Sequence, residues 1–396
     1  MTNTSDQKLF KLIKYKFQRL LKIFPHQVPA YLIIAIIFAV LIRLVCVPNQ
    51  SSDYKSFLAP WYDFIVINGG FSALKYGFAD YTPPYLYWLV IAATLLSGLP
   101  KILAIKLFAM SIDFVCAFFT YKIVKLKYPE GKLGNFAFIT VILSPVVIYN
   151  SAIWGQCDSI YTTGLIACIY FLCIQKQIPA LVSFGLALSF KLQAMFLSPL
   201  LLIMLLKKRI MWYFLPIIPL VYLLAMIPAW LAGRPMPELL LVYFNQANKY
   251  KELAKGVPNF YQWIPNDFYR VVTTIGVIGT IFVILLLAYI VYKNKQEITQ
   301  ERLIYLATLS VLLLPYILPK MHQRYFYPAD ICSIILAFYL PQYRWIAIVV
   351  QLSSLFSYLG TPIHIKFFSI ILGFAIWFLV KNCDVIYPKL KTALRD

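Results

Sequence analysis

Acid–base and anion-binding side chains recur in short segments between long apolar runs: Asp53, Asp63, Asp80, Gln156, Asp158, Lys191, Gln193, His322 and Arg324. Most of the acids stand in the first half of the chain and most of the bases in the second. That division suits a site that takes a proton from one substrate and holds the phosphate of another. Ionisable groups near membrane depth are costly, so they face a water-filled cavity or pair with one another.

Each residue also has a plainer reading. Asp53, in Ser51-Ser52-Asp53-Tyr54-Lys55, is placed to take a proton from a hydroxyl within reach, or is a solvated aspartate or helix N-cap. Asp158 follows Trp154-Gly155-Gln156 and opens an apolar run, so capping competes with a role in a pocket. Lys191 stands between two short apolar blocks and reads as a phosphate ligand or as a lysine snorkelling to the headgroups. His322 and Arg324 pair an imidazole with a guanidinium, a set suited to phosphate oxygen, or else serve as interfacial anchors. Asp330, deeper in the following run, is a candidate to neutralise Arg324. Asp113 reads as a packing or pairing residue.

The elements that must position these groups are membrane helices. Of 396 residues, 61% are hydrophobic and 13% charged, well short of the quarter or so that covers a soluble surface. The apolar blocks approach the roughly 20 residues that cross a core of about 30 Å, and continuous runs exclude an alternating barrel. Twelve spans are expected, near 28–47, 101–124, 133–149, 159–175, 178–190, 194–206, 210–232, 269–292, 302–318, 326–340, 344–358 and 363–381. The net charge of +21 resides in runs such as Lys122–Lys132, Lys207–Arg209 and Lys293–Arg302, which mark the cytoplasmic side rather than a nucleic-acid surface. All runs fall on one side only if 84–98, opening on Pro83-Pro84, is a re-entrant or in-plane half-helix.

Three regions follow. Residues 1–26 form a cytoplasmic amphipathic segment, with Leu9, Leu12, Ile13, Phe17, Leu20, Leu21 and Phe24 on one face against the anionic leaflet. Residues 27–382 form the polytopic domain, with outward connections 48–83 and 233–268. Residues 383–396 are expected to form a cytoplasmic tail, with no soluble C-terminal domain expected. The scattered cysteines read as packing residues, and three histidines leave no metal cluster.

Several segments together resemble a known family. Asp53-Tyr-Lys-Ser-Phe-Leu-Ala-Pro-Trp61, Asn68-Gly-Gly-Phe and Tyr81-Thr-Pro-Pro-Tyr-Leu-Tyr are similar to the first outward loop of GT-C-fold glycosyltransferases. Trp154-Gly-Gln-Cys-Asp158, Lys191-Leu-Gln193 and His322-Gln-Arg-Tyr-Phe-Tyr-Pro-Ala-Asp330 resemble their later motifs. The nearest branch is the bacterial mannosyltransferase-like one, related to the GPI-anchor and asparagine-linked-glycan lipid transferases. The resemblance implies an inverting hexosyltransferase in the cell membrane. Its donor would be a polyprenyl-phosphate sugar (mannose favoured, glucose also fitting), and its acceptor a lipid-linked or cell-wall glycan on the outer face. Asp53 would be the general base. Trp61, Asp63, Trp154, Gln156 and Asp158 would line the acceptor or sugar pocket, and Lys191, Gln193, His322 and Arg324 would hold the donor phosphate. A divalent cation (Mg²⁺ or Mn²⁺) is not favoured, because Tyr54 stands where a second acid would bridge it.

Two other classes compete. A lipid or sugar-lipid flippase would place its charges at mid-membrane on inverted repeats, and no repeat is evident. A surface-polysaccharide ligase or polymerase would favour paired arginines over the Lys/His/Arg set.

Overall fold

A computed structural model describes residues 28–247, 251–360 and 362–382; the expected amphipathic segment within 1–26 and the tail 383–396 lie outside them. The described chain is almost entirely helical. In order come α1 (Ala30–Cys46), α2 (Ala59–Ile67), α3 (Pro83–Thr94), α4 (Lys101–Lys127), α5 (Leu133–Leu143), α6 (Pro145–Ile148), α7 (Asp158–Cys173) and α8 (Gln177–Phe190). Then follow α9 (Ser198–Leu206), α10 (Ile217–Leu231), α11 (Met236–Ala247), α12 (Tyr269–Lys293), α13 (Gln300–Ile317), α14 (Tyr327–Tyr339), α15 (Arg344–Leu359) and α16 (Pro362–Asn382).

Among the described residues four helices are long and apolar enough to cross a membrane, or five if one bent pair counts as a span. They are Lys101–Lys127, Trp212–Leu231, Asn266–Lys293 and Pro362–Asn382, and the bent pair is Leu133–Leu143 with Pro145–Trp154. The bend, 43°, has a local cause. Pro145 lacks an N–H and its ring crowds the preceding turn, so α5 stops; Ser144 Oγ then accepts from the Val147 amide and starts the next helix. The remaining apolar helices are shorter. α3, with 12 residues, is about 18 Å long at 1.5 Å per residue, too short to cross alone.

Burial separates the interior helices from the rim. Every residue of α13 from Leu303 to Pro315 is buried, as are nearly all of α7 and α14, as expected of helices that are apolar on all faces. α12 instead exposes Val271, Ile275, Ile278, Phe282 and Leu285, a surface that suits hydrocarbon and would be a liability in water. Two glycines permit the closest helix approaches. A Cβ on Gly164 of α7 would lie 2.8 Å from Ala187 Cβ, and one on Gly185 of α8 would lie 2.9 Å from Val221 Cβ. Contacts this close are how membrane helices pack without a hydrophobic drive between them.

The basic runs meet at one end of this bundle. Lys127 Nζ bonds Glu301 Oε1 and the Tyr339 carbonyl, both at 2.6 Å. Lys207 reaches the Asn294 carbonyl, and Arg209 Nη2 that of Ile298 at 3.2 Å. The two long connections carry secondary structure of their own. The stretch 48–83 holds a π-helical turn, Tyr54–Leu58, that runs into α2. The stretch 233–268 holds α11 and a two-residue strand β1 (Ala254–Lys255), which pairs in parallel with β2 (Met321–His322).

Candidate functional site

The site is assembled from segments that lie between helices. Asp53 enters it because Ser51 does the local work. Ser51 Oγ accepts from the Tyr54 amide at 3.0 Å and donates to the Trp154 carbonyl at 2.6 Å. The Asp53 side chain makes no capping bond and is left to turn inward, so the N-cap reading of this residue does not hold. Arg324 Nη1 meets Asp53 Oδ2 at 2.8 Å across 271 residues of sequence, and Gln156 Nε2 donates to the same oxygen. Gln156 Oε1 accepts from the Tyr81 hydroxyl at 3.2 Å. Gln156 is aimed by Gly155, whose left-handed backbone (φ 78°) reverses the chain before α7; few residues but glycine hold that conformation at low cost.

These groups open on a cavity of about 410 Å³. Asp53, Gln156, Gln193, His322 and Arg324 line its polar part; Phe57, Leu58, Trp61, Leu192, Val277 and Met321 line its apolar part. The Trp154 ring lies 5.9 Å from the Arg324 guanidinium carbon, and Arg324 Nε has no hydrogen-bond partner among the described residues. Burial first, then the charges of Arg324, Lys255 and Lys191, push the His322 imidazole down to about 3. His322 is therefore neutral near pH 7, with one ring nitrogen to donate a hydrogen bond and the other to accept one.

Of the expected site residues, Asp53, Trp61, Gln156, Gln193, His322 and Arg324 share this cavity. Lys191 and Asp158 lie behind its wall, with Nζ–Oδ1 at 2.6 Å and side chains 7% and 0% exposed. Asn150 Nδ2 donates to the other Asp158 oxygen at 2.9 Å, and the ammonium lies 5.0 Å from the Tyr81 ring centre. Neither a snorkelling lysine nor an open phosphate ligand describes this pair; burial makes each the other's partner. Trp154 does not line the cavity; its ring lies against Arg324 and its carbonyl accepts from Ser51. Asp63 points away and binds Lys101 at 2.6 Å, on the exposed side of α2. Asp330 does not neutralise Arg324: its carboxyl is buried in α14, while the guanidinium has gone to Asp53.

Sequence reasoning passed over three contributors. Lys255 and Lys320 line the cavity, brought there by the β1–β2 pairing. Lys106, fully buried in α4, brings its three ammonium N–H groups within hydrogen-bond distance of four carbonyls: Val47 (3.0 Å), Asn49 (2.6 Å), Ala152 (2.7 Å) and Ile153 (3.0 Å). Those carbonyls lie a few residues before Asp53 and Gln156, so one ammonium fastens together the two segments that carry the site. Its presence inside an apolar span was the signal, since a lysine there is a functional candidate by default.

Comparison with known protein families and with curated proteins finds no match to this chain.

Proposed function

We propose that the protein is an inverting membrane glycosyltransferase of GT-C type, moving a hexose from a polyprenyl-phosphate sugar to a lipid-linked or cell-surface glycan on the outer face. In this reading the chain crosses the membrane twelve times, with α3 as the half-helix and the basic ends in the cytoplasm. The observation that carries it is the convergence of Asp53, Gln156, Arg324 and His322 on a cavity that also has a broad aromatic and aliphatic wall. A lipid-linked donor presents the same division: an anionic phosphate joined to a sugar on one side and a hydrocarbon chain on the other.

The chemistry follows from the placement. As the bond from the sugar to the lipid phosphate breaks, negative charge grows on the leaving oxygen and the sugar carbon gains oxocarbenium character. Arg324, with Lys255 and Lys320 beside it, is the cationic side that stabilises that oxygen. Asp53 takes the proton from the attacking hydroxyl as the new bond forms on the opposite face, inverting the anomeric centre. Before the donor arrives Arg324 holds one of the two carboxylate oxygens, Asp53 Oδ2. A phosphate diester competes for the guanidinium, and its arrival frees Asp53. Gln156 keeps the released carboxylate oriented, and His322 supplies a neutral hydrogen bond to the phosphate.

The test is sugar transfer by purified protein from a short-chain polyprenyl-phosphate hexose to a membrane-lipid extract. Wild type transfers sugar, while Asp53→Asn binds the donor but does not transfer. Movement of donor across liposomes without transfer would replace this reading with a flippase.

A further inference from the structure

The basic end of the bundle holds a cavity of about 260 Å³, set between the turns that end α7 and α9 and the start of α13. Gln175, Gln177, Lys208, Arg209, Thr299 and Gln300 supply its polar wall, and no carboxylate lines it. α7 is 16 residues long, about 24 Å at 1.5 Å per residue. Asp158, behind the first cavity, opens that helix, and Cys173, beside this one, ends it. The two cavities stand at opposite ends of one helix.

Two of the lining side chains occupy backbone positions where glycine is the usual residue. Gln175 and Lys208 have left-handed backbone, with φ 59° and 55°. Each closes its helix with the same pair of bonds. Lys176 N–H reaches the Phe171 carbonyl at 2.8 Å and Gln175 N–H that of Leu172 at 3.1 Å. Arg209 N–H likewise reaches Met204 at 2.8 Å and Lys208 N–H Leu205 at 3.0 Å. A Cβ crowds the left-handed residue of this closure, which is why glycine dominates it. Among the described residues one other non-glycine has such a backbone, Lys320, and it lines the first cavity. Backbone strain of this kind collects at sites that use it.

The groups around the cavity favour an anion. Lys208 and Arg209 bring two positive charges, and the start of the 18-residue α13 adds the positive end of its dipole. Glu301, next to Gln300 in sequence, is taken by Lys127 at 2.6 Å. Gln177 Oε1 accepts from the Met211 amide at 2.9 Å, which leaves the nitrogen of that side chain as the half offered to a ligand. Gln300 braces the wall, accepting from the Tyr339 hydroxyl at 2.8 Å and donating to the Cys173 carbonyl at 3.3 Å. The volume falls below the roughly 300–1,000 Å³ of small-molecule sites, so a single tetrahedral anion suits it better than a nucleotide. Trp212 and Tyr213, exposed just after Arg209, are residues that settle at headgroup depth.

We propose that this cavity binds a phosphate group, carried by the headgroup of an anionic phospholipid or free in solution. The site needs nothing from the reaction proposed above. Full-length protein in neutral detergent is titrated with phosphatidylglycerol or phosphatidylcholine of matched chains, and bound lipid is counted by native mass spectrometry. Inorganic phosphate is titrated in parallel by calorimetry, against chloride at equal ionic strength. Lys208→Gly removes the ammonium while easing the backbone, so its fold is secure even if that of Arg209→Gln is not; unfolding temperatures check both. Each should weaken binding about tenfold or more, the worth of a charge-assisted hydrogen bond. Lys295→Gln, a change of equal charge outside the cavity, should alter it less than about twofold, because exposed charges are screened.

Preference for phosphatidylglycerol that Lys208→Gly weakens, without binding of inorganic phosphate, upholds the site and assigns it to lipid. Binding of inorganic phosphate that the same substitution weakens, without lipid preference, upholds it for the free ion. Neither lipid preference nor phosphate binding in folded wild type overturns the proposal. So does equal binding by wild type and Lys208→Gly, or an equal loss in Lys208→Gly and Lys295→Gln, which would show a diffuse basic surface.

Discussion

Arg43–Asp113 and Arg324–Asp53 are the same chemical pair in two settings. The first is sealed: side-chain exposures are 3% and 0%, and Arg43 also donates to the Ala39 and Ile142 carbonyls at 3.2 and 2.8 Å. Ser151 adds a bond to Asp113 at 2.6 Å, so α1, α4 and the turn after α6 are held at one point. The second is open, at 14% and 26% exposure, and faces a cavity with Arg324 Nε unfilled. A sealed pair has no second partner to exchange with, and its strength goes into holding helices. An open pair can be parted by a ligand that offers the guanidinium something better. Surroundings, rather than residue type, separate a fastener from a working group.

The largest expected effect sharpens the open side. Asp53→Asn should lower the rate of sugar transfer about 10²- to 10⁴-fold, the usual worth of a positioned general base, with the unfolding temperature unchanged. A wild-type rate in that variant would move the base to another acid. On the sealed side, Arg43→Met strands a buried carboxylate and should remove about 3–5 kcal/mol of stability, read by chemical unfolding in detergent. Arg324→Met should cost far less stability, because Asp53 keeps contact with the cavity's water. Equal losses at the two arginines would end the distinction.

Lys106 tests a middle case, a sealed cation without an acid. Lys106→Met keeps the length of the side chain but leaves four carbonyls without their donor. It should cost about 1–3 kcal/mol and slow transfer with little change in either substrate's KM. Restoration of the rate by Lys106→Arg would separate positioning from simple loss of fold.

The smallest effect concerns pH. Because the folded His322 resists protonation down to about 3, the unfolded chain takes up its proton first, below its ordinary value near 6.5. Stability contributed by this residue is whole above that value and declines as pH falls from about 6.5 towards 3. His322→Gln should flatten that part of the profile, measured as unfolding temperature at pH 7, 6 and 5.

The positions of the helices were legible because apolar runs announce themselves residue by residue. The expected spans fall on the helices found, though only four or five helices meet the length for a membrane crossing on their own. The break at Ser144-Pro145 was readable from the proline but was passed through as one span, 133–149. Candidate residues were legible by type: Asp53, Gln156 and Arg324 do meet. Their partners were not, because pairing is decided by packing between distant segments. Asp158 binds Lys191, 33 residues away, and Asp63 binds Lys101, 38 away; nothing local in the chain marks either choice.

The distance between Asp53 and Arg324 along the chain also sets when the site can exist. Translation delivers Asp53 early and Arg324 only after most of the polypeptide has emerged, so through most of synthesis the carboxylate has no guanidinium to hold it. Long-range contacts of this kind form late. A ribosome that stalls before β2 therefore releases a chain in which Asp53 never meets the guanidinium that holds it in the finished fold.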